Sequence, residues 1–174
     1  MESSIQVALF RAGDEGTFRE IYREYAPALR GFAARYVQDR ETVDDMVQEA
    51  FVHLWEKRRD LHTVEAIKAY LYRVVQRKGL NVIRHQKVKE RYAMTPREEN
   101  EASFLEGMIE AEIFRSVLRV FEELPPACKT VYRMSLDGMS HEEIAGKLNI
   151  SVNTVKKHKN NAHHYMRDRL KGMV

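Results

Sequence analysis

The side chains best suited to recognition chemistry lie near the C-terminal end of the sequence. Lys156, Lys157, Asn160 and Asn161 recur at helical spacing and combine cations with amides. Lysine pairs with phosphates or with O6 and N7 of guanine, and asparagine pairs with N6 and N7 of adenine. This helix face is therefore predicted to bind duplex DNA, although a solvated basic helix of a small bundle would carry similar charges.

Two short helices joined by a tight turn would position this face. Ser140 and Glu143 have the spacing of a capping box at a helix start, and Asn149 can adopt the left-handed conformation that ends the helix. Ser151 can then cap a second helix. The inner positions are small or apolar: Ala145, Ile150, Val152, Val155 and Ala162. The small Ala145 lets the two helices cross closely, so the pattern predicts a helix-turn-helix and favours DNA binding.

An acidic helix face is predicted earlier in the chain, within a helix from about 41 to 57. Asp44, Asp45, Gln48 and Glu49 share its outer side. Glu49 has no Lys or Arg four residues away, so we expect the face to lack internal ion pairs and to accept a basic partner. A solvated charged face is the alternative interpretation.

A third long helix, predicted from about 64 to 85, has a basic outer side. Its cations are Lys68, Arg73, Arg77, Lys78 and Arg84, and they alternate with Tyr70, Tyr72, Gln76 and Asn81. Bases stack on aromatic rings while cations follow the backbone, so this composition is typical of single-stranded DNA binding. A basic amphipathic helix with a tyrosine edge would look the same.

The composition excludes several other classes of function. The 174 residues have a net charge of +3, but residues 140–174 hold seven Lys or Arg against three Asp or Glu. The single Cys128 excludes an internal disulfide and a multi-cysteine zinc site. We find no apolar run of transmembrane length, no glycine-rich phosphate loop, no metal-ligand spacing and no nucleophile–base pair. The sequence therefore predicts a cytoplasmic protein without enzymatic activity, cofactor, metal or direct membrane insertion.

The elements that carry these faces are all predicted to be helices. We expect an all-α fold of two small helical domains, residues 1–87 and 104–174, joined by a flexible, highly charged linker at 88–103. In the first domain an apolar stripe begins near Thr17, and Pro27 should kink that helix or split it at Ala26. In the second, Pro126 suits the first turn of a helix that ends near Leu136.

Three segments, in this order, resemble the extracytoplasmic-function (ECF) type of bacterial sigma factor, in the sigma-70 superfamily. Residues 44–55 (DDMVQEAFVHLW) resemble region 2.2, and residues 69–87 (AYLYRVVQRKGLNVIRHQK) resemble regions 2.3 and 2.4. Residues 124–166 resemble region 4. Many members of the family have Asn where this chain has Arg77 and Asp where it has Asn81, so the family's −10 base preference does not transfer to this chain.

The resemblance implies a role for each face. Core RNA polymerase, through its beta-prime coiled coil, would bind Asp44, Asp45, Gln48 and Glu49, and its beta flap is a further implied contact. The unpaired −10 element, with one base flipped out, would meet Arg58, Arg59, His62, Tyr70, Arg73, Arg77, Lys78, Asn81 and Arg84. The −35 element in promoter DNA would be read by Ser151, Asn153, Thr154, Lys156, Lys157, Lys159, Asn160 and Asn161. It also implies an anti-sigma factor as partner, often a membrane protein.

Two other functions fit parts of the sequence. A stand-alone helix-turn-helix regulator would bind duplex DNA without polymerase, but we see no dimerisation heptad. A sigma-mimicking adaptor would bind protein only, and the basic face of the C-terminal helix would then be dispensable. The acidic face at Asp45, Gln48 and Glu49 favours the sigma factor.

Overall fold

The structure is a computed structural model that describes residues 2–89 and 100–171, with side chains from 6 to 85 and from 100 to 171. Within those ranges the regular structure is helical, which confirms the predicted all-α fold. The helices are α1 (Glu2–Ala12), α2 (Glu15–Ala33), α3 (Arg40–Glu56), α4 (Val64–Lys89), α5 (Glu101–Glu122), α6 (Pro126–Leu136), α7 (His141–Leu148) and α8 (Val152–Lys171). The chain divides into a first unit, Met1–Arg115, and a second unit, Ser116–Val174.

In the first unit, α2, α3 and α4 pack around one apolar core. Asp14 and Asp39 start α2 and α3 by accepting hydrogen bonds from the backbone N–H groups of Thr17 and Thr42, at 2.7 and 2.8 Å. Phe32, Leu54 and Leu71 have almost no exposed surface. Pro27 does not split α2, because the helix continues through it from Glu15 to Ala33, so of the two predicted effects only a kink stays a prediction.

The N-terminal part of α5, up to Arg115, also belongs to the first unit. Phe104 and Ala111 are buried in its core, and Met108 packs against them. The predicted second domain began at residue 104, so the structure moves this boundary into α5, between Arg115 and Ser116. Of the predicted linker, residues 90–99 lie outside the described residues.

The second unit holds the predicted helix-turn-helix in α7 and α8. Ser140 and Glu143 form the capping box, with hydrogen bonds of 2.7 and 3.2 Å. Asn149 ends α7 with a positive φ of 53°. Ile144 and Val155 are fully buried where the two helices cross. The opposite side of the N-terminal part of α8 therefore faces solvent.

Candidate nucleic-acid interface

The outer face of α8 presents the predicted cations and amides to solvent. We call it the reading face, and its exposed members are Asn153, Lys156, Lys157, Asn160 and Asn161. Val155 and Ala162, on the opposite side, are fully buried and fix which way the helix faces. One side of α8 is therefore apolar and buried, and the other side is polar and exposed. A recognition helix in the major groove has this arrangement.

Three other residues predicted to meet duplex DNA have different surroundings. The Ser151 hydroxyl accepts a hydrogen bond from the Thr154 N–H at 3.0 Å, and the two hydroxyl oxygens are 2.8 Å apart. Ser151 and Thr154 therefore serve first to start α8. Lys159 is half-buried, whereas Lys156 is exposed.

On α4, five of the residues predicted to bind single-stranded DNA form one continuous stripe. This strand-binding stripe consists of Tyr70, Arg73, Arg77, Asn81 and Arg84. At 3.6 residues per turn their positions fall within about 80° of the helix circumference. Tyr70 is half-buried, and the other four are exposed. The stripe thus combines a partly covered aromatic ring with three open cations.

Tyr72 does not belong to this surface, and its prediction as an outer residue is wrong. The residue has no exposed surface, and its hydroxyl donates a hydrogen bond to Oε1 of Glu112 at 2.9 Å. Burial, followed by the charge of Glu112, raises the pKa of Tyr72 well above its ordinary value. Its ring therefore holds α4 and α5 together and is closed to a base.

The turn before α4 places its three candidate residues differently. Arg58 is half-buried, its guanidinium carbon lies 4.5 Å from the Trp55 ring centre, and its Nη1 donates to the Trp55 carbonyl at 2.7 Å. Arg59 and His62 are exposed. Arg58 is thus engaged in structural contacts, and Arg59 and His62 remain open candidates.

The four residues of the acidic face, Asp44, Asp45, Gln48 and Glu49, lie together on α3. Asp45 and Gln48 are exposed. Asp44 accepts a hydrogen bond from Arg30 at 2.6 Å, and Glu49 forms an ion pair with Lys78. The expectation that the face lacks internal ion pairs is therefore wrong. Arg30 and Lys78 reach it from neighbouring helices, and Arg40, on α3 itself, lies 4.0 Å from Asp44.

An apolar groove beside the acidic face was not predicted. Its volume is about 610 Å³, and its lining includes Phe18, Tyr22, Phe51, Val52 and Trp55, together with Gln48 of the acidic face. Val52 is 57% exposed, unusual for a valine in a helix with a full apolar core. The sequence signal for this groove was Val52, an apolar residue that lies outside the inner stripe of α3.

Comparison with known families identifies the chain. Residues 21–88 match the model of sigma-70 region 2, and residues 114–162 match the model of sigma-70 region 4. Together these segments include the acidic face, the strand-binding stripe and the reading face. The chain belongs to the sigma-70 family, in its ECF type.

Known sigma factors resemble this one over most of its length. It is 24% identical to RNA polymerase sigma factor CarQ of Myxococcus xanthus, over 82% of each chain. It is 25% identical to the ECF RNA polymerase sigma-E factor of Escherichia coli K12, over 90% of this sigma factor and 87% of that one. A solved structure of CnrH in complex with the cytosolic domain of CnrY has 22% identity and a TM-score of 0.44, covering 98% and 97% of the two chains.

The described residues contain neither a membrane-spanning helix nor a metal-binding cluster. In that part of the sigma factor, no helix is both long enough and apolar enough to cross a membrane. Among the same residues, His, Cys, Asp and Glu side chains form no group of three or more that could hold a metal ion.

Proposed function

We propose that this sigma factor binds core RNA polymerase through its first unit and directs transcription initiation by contacting the −10 and −35 elements of promoters. The observation that carries the proposal is the order of two matched regions, each with its own DNA-suited face. The strand-binding stripe lies in the first unit and the reading face in the second. This activity takes place in the cytoplasm and requires no catalytic residue or cofactor of the sigma factor itself.

Docking on polymerase would use the acidic face. Exposed Asp45 and Gln48 can meet cations and hydrogen-bond donors of the beta-prime coiled coil without any rearrangement. Asp44 and Glu49 would first exchange partners with Arg30 and Lys78. A second contact, between the second unit and the beta flap, would complete the attachment. An anti-sigma factor that covers the acidic face would block transcription.

The two DNA contacts have different chemistry. The strand-binding stripe offers cations for phosphates and planar groups for unstacked bases, as single-stranded DNA requires. Lys156 and Asn160 on the reading face can reach base edges in the major groove, and such a contact contributes about 1–3 kcal/mol of discrimination. Two weak contacts on one chain strengthen each other through effective concentration, so neither has to be tight alone.

The deciding experiment is transcription in vitro from a library of genomic fragments, with core polymerase and with or without this sigma factor. New starts that share two upstream elements would establish the function. Duplex DNA binding without new starts would favour the stand-alone regulator. Polymerase binding with neither starts nor DNA contact would favour the adaptor.

Variants then test each face separately. Reversing the charge of Asp45 and Glu49 to Lys should abolish polymerase binding and leave duplex DNA binding by the second unit intact. Glu20→Lys, an exposed charge reversal on α2, is the matched control. Unchanged polymerase binding in the double variant would contradict the docking assignment.

The reading face is tested by Lys156→Ala combined with Asn160→Ala. We expect loss of transcription from promoters that depend on the −35 element, with polymerase binding retained. Lys171→Ala, at the far end of the same helix, removes one exposed cation and serves as control for net charge. An adaptor would keep its activity in the double variant.

A further inference from the structure

Arg73, at one edge of the strand-binding stripe, is held on several sides by its neighbours. Its guanidinium carbon lies 3.8 Å from the centre of the Phe104 ring. Its Nη2 forms an ion pair with Glu101, and its Nη1 donates to Oε1 of Gln76 at 3.2 Å. The planar group thus has one face on an aromatic ring and two fixed edges, so its orientation is defined.

Phe104 is itself firmly placed in the first unit. It is only 2% exposed and meets the Phe32 ring edge-to-face, with centroids 5.9 Å apart. Further along α5, Glu112 accepts hydrogen bonds from Tyr72 at 2.9 Å and from Lys68 at 3.4 Å. Two contacts on separate turns of α5 therefore fix the helix against α4 and the core.

Arg73 remains accessible despite these contacts. Its side chain is 47% exposed, and it is three and four residues from Tyr70 and Arg77 on the same stripe. A guanidinium plane is one of the groups on which proteins stack unpaired bases. One face of the plane rests on Phe104, so a base would stack on the other.

Phe104 and Glu101 lie between the two segments that match the family models, 21–88 and 114–162. The family match therefore gives them no role. We propose that Phe104 and Glu101 are positioning residues that hold Arg73 as a stacking platform for one unpaired base of the −10 element. This inference rests on the proposed function and extends its strand-binding stripe to α5.

A masking role for α5 would use the same contacts but predicts the opposite effect. If Glu101 held Arg73 away from DNA, its removal would strengthen binding. The Arg73–Glu101 pair is open to solvent, with side chains 47% and 62% exposed. Exposed pairs contribute little free energy, so Glu101 can orient the Arg73 side chain but cannot hold it away from DNA.

The experiment measures binding of labelled single strands by the holoenzyme, using the non-template −10 strand of a promoter found in the transcription assay. Each base of the strand is replaced in turn by an abasic site. We compare wild type with Phe104→Leu, Arg73→Lys, their double variant and Glu101→Ala. Leu105→Ala and Glu106→Ala, at exposed positions of the same helix, are the controls for truncation and for charge. Thermal unfolding reports whether each variant is folded.

We expect Phe104→Leu and Arg73→Lys each to weaken binding about fivefold to tenfold, within the range for loss of one stacked base. The difference in affinity from wild type should vanish on only one of the abasic strands. The double variant should bind no more weakly than either single variant. Glu101→Ala should bind about threefold less tightly than Glu106→Ala. A merely structural role of these residues would not make the difference in affinity between variant and wild type disappear at a single abasic position.

Two results would overturn the platform: an equal loss on every abasic strand, or tighter binding by Glu101→Ala than by its control. If Phe104→Leu fails to fold, Arg73→Lys and Glu101→Ala, at exposed positions, decide the matter alone. If wild type selects no promoter, the proposed function fails separately. Binding of a deoxyadenosine oligomer by the sigma factor alone then tests the platform: weaker binding by Arg73→Lys supports it, and equal binding refutes it.

Discussion

Gly79 in α4 is predicted to tolerate no side chain, not even the methyl group of alanine, without a loss of stability. A Cβ built at this position would lie 2.3 Å from Cγ and 2.6 Å from Cβ of Tyr36. These atoms are the base of the tyrosine side chain and cannot swing away as a flexible tip could. Tyr36 is also held by its backbone, since its N–H donates to the Ala33 carbonyl at 3.0 Å. α4 or the Tyr36 segment would therefore have to move.

The size of the effect follows from two opposing contributions. Replacing glycine by alanine inside an open helix stabilises by about 1 kcal/mol. Overpacking a close contact costs about 1–3 kcal/mol. We expect Gly79→Ala to lower the free energy of unfolding by up to about 2 kcal/mol, or the Tm by up to about 8 °C for a unit of this size. Gly31→Ala, in α2, is the matched control because its Cβ would meet no atom within 4 Å.

Urea and thermal unfolding followed by circular dichroism would measure both variants. Gly31→Ala should be as stable as wild type or up to about 1 kcal/mol more stable. The destabilisation by Gly79→Ala should shrink when Tyr36 is also replaced by Gly, since this change removes both the Cγ and the Cβ that the new methyl group would meet. The reasoning fails if Gly79→Ala is as stable as Gly31→Ala, or if the double variant shows the full loss.

Three further predictions concern stability. Burial acts to raise the pKa of Glu112, but the hydrogen bond and charge of Arg115 outweigh it, and the net pKa is below the ordinary 4.5. A depressed carboxyl pKa stabilises the fold above pH 4.5 and loses that contribution as the pH falls through the folded-state value. Glu112→Gln should therefore flatten the acid side of the stability profile measured by urea unfolding, and an unchanged profile would count against the pairing. Tyr72→Phe should cost about 1 kcal/mol in the same assay by removing one buried hydrogen bond, and a neutral result would mean that this bond adds nothing. Asn149→Ala should cost about 1 kcal/mol and Asn149→Gly should not, because only the alanine is strained at positive φ; equal stabilities would contradict this account of the turn.

The second unit was the easier part to predict from sequence because its signals are local. The Ser140–Glu143 capping box, the left-handed Asn149 and the cap at Ser151 each depend on residues within one turn of helix. Such signals act before any tertiary contact forms, so the sequence alone specifies where α7 begins and ends and where α8 begins. The inward direction of Val155 then follows from helical periodicity.

The position of α5 could not be predicted because periodicity does not name the partner of an apolar face. Leu105, Ile109 and Ile113 are as apolar as Phe104, yet they are 42–60% exposed. What selects the buried side is a set of long-range contacts, such as Tyr72 with Glu112, forty residues apart. The charges followed the same rule: Glu49 finds Lys78 on another helix, which a search four residues away on α3 cannot detect.

The ion pairs on the acidic face are still compatible with binding to polymerase. Lys78 and Glu49 have side chains 24% and 58% exposed, so their pair is open to solvent on the glutamate side. Exposed pairs contribute about 0–1 kcal/mol, and a partner that displaced one would lose at most about fivefold in affinity. Displacement would also free the Lys78 ammonium, beside the strand-binding stripe, for a DNA phosphate. Polymerase binding at α3 would then strengthen DNA binding at α4. The coupling free energy between them cannot exceed the small free energy of the Lys78–Glu49 pair that is exchanged.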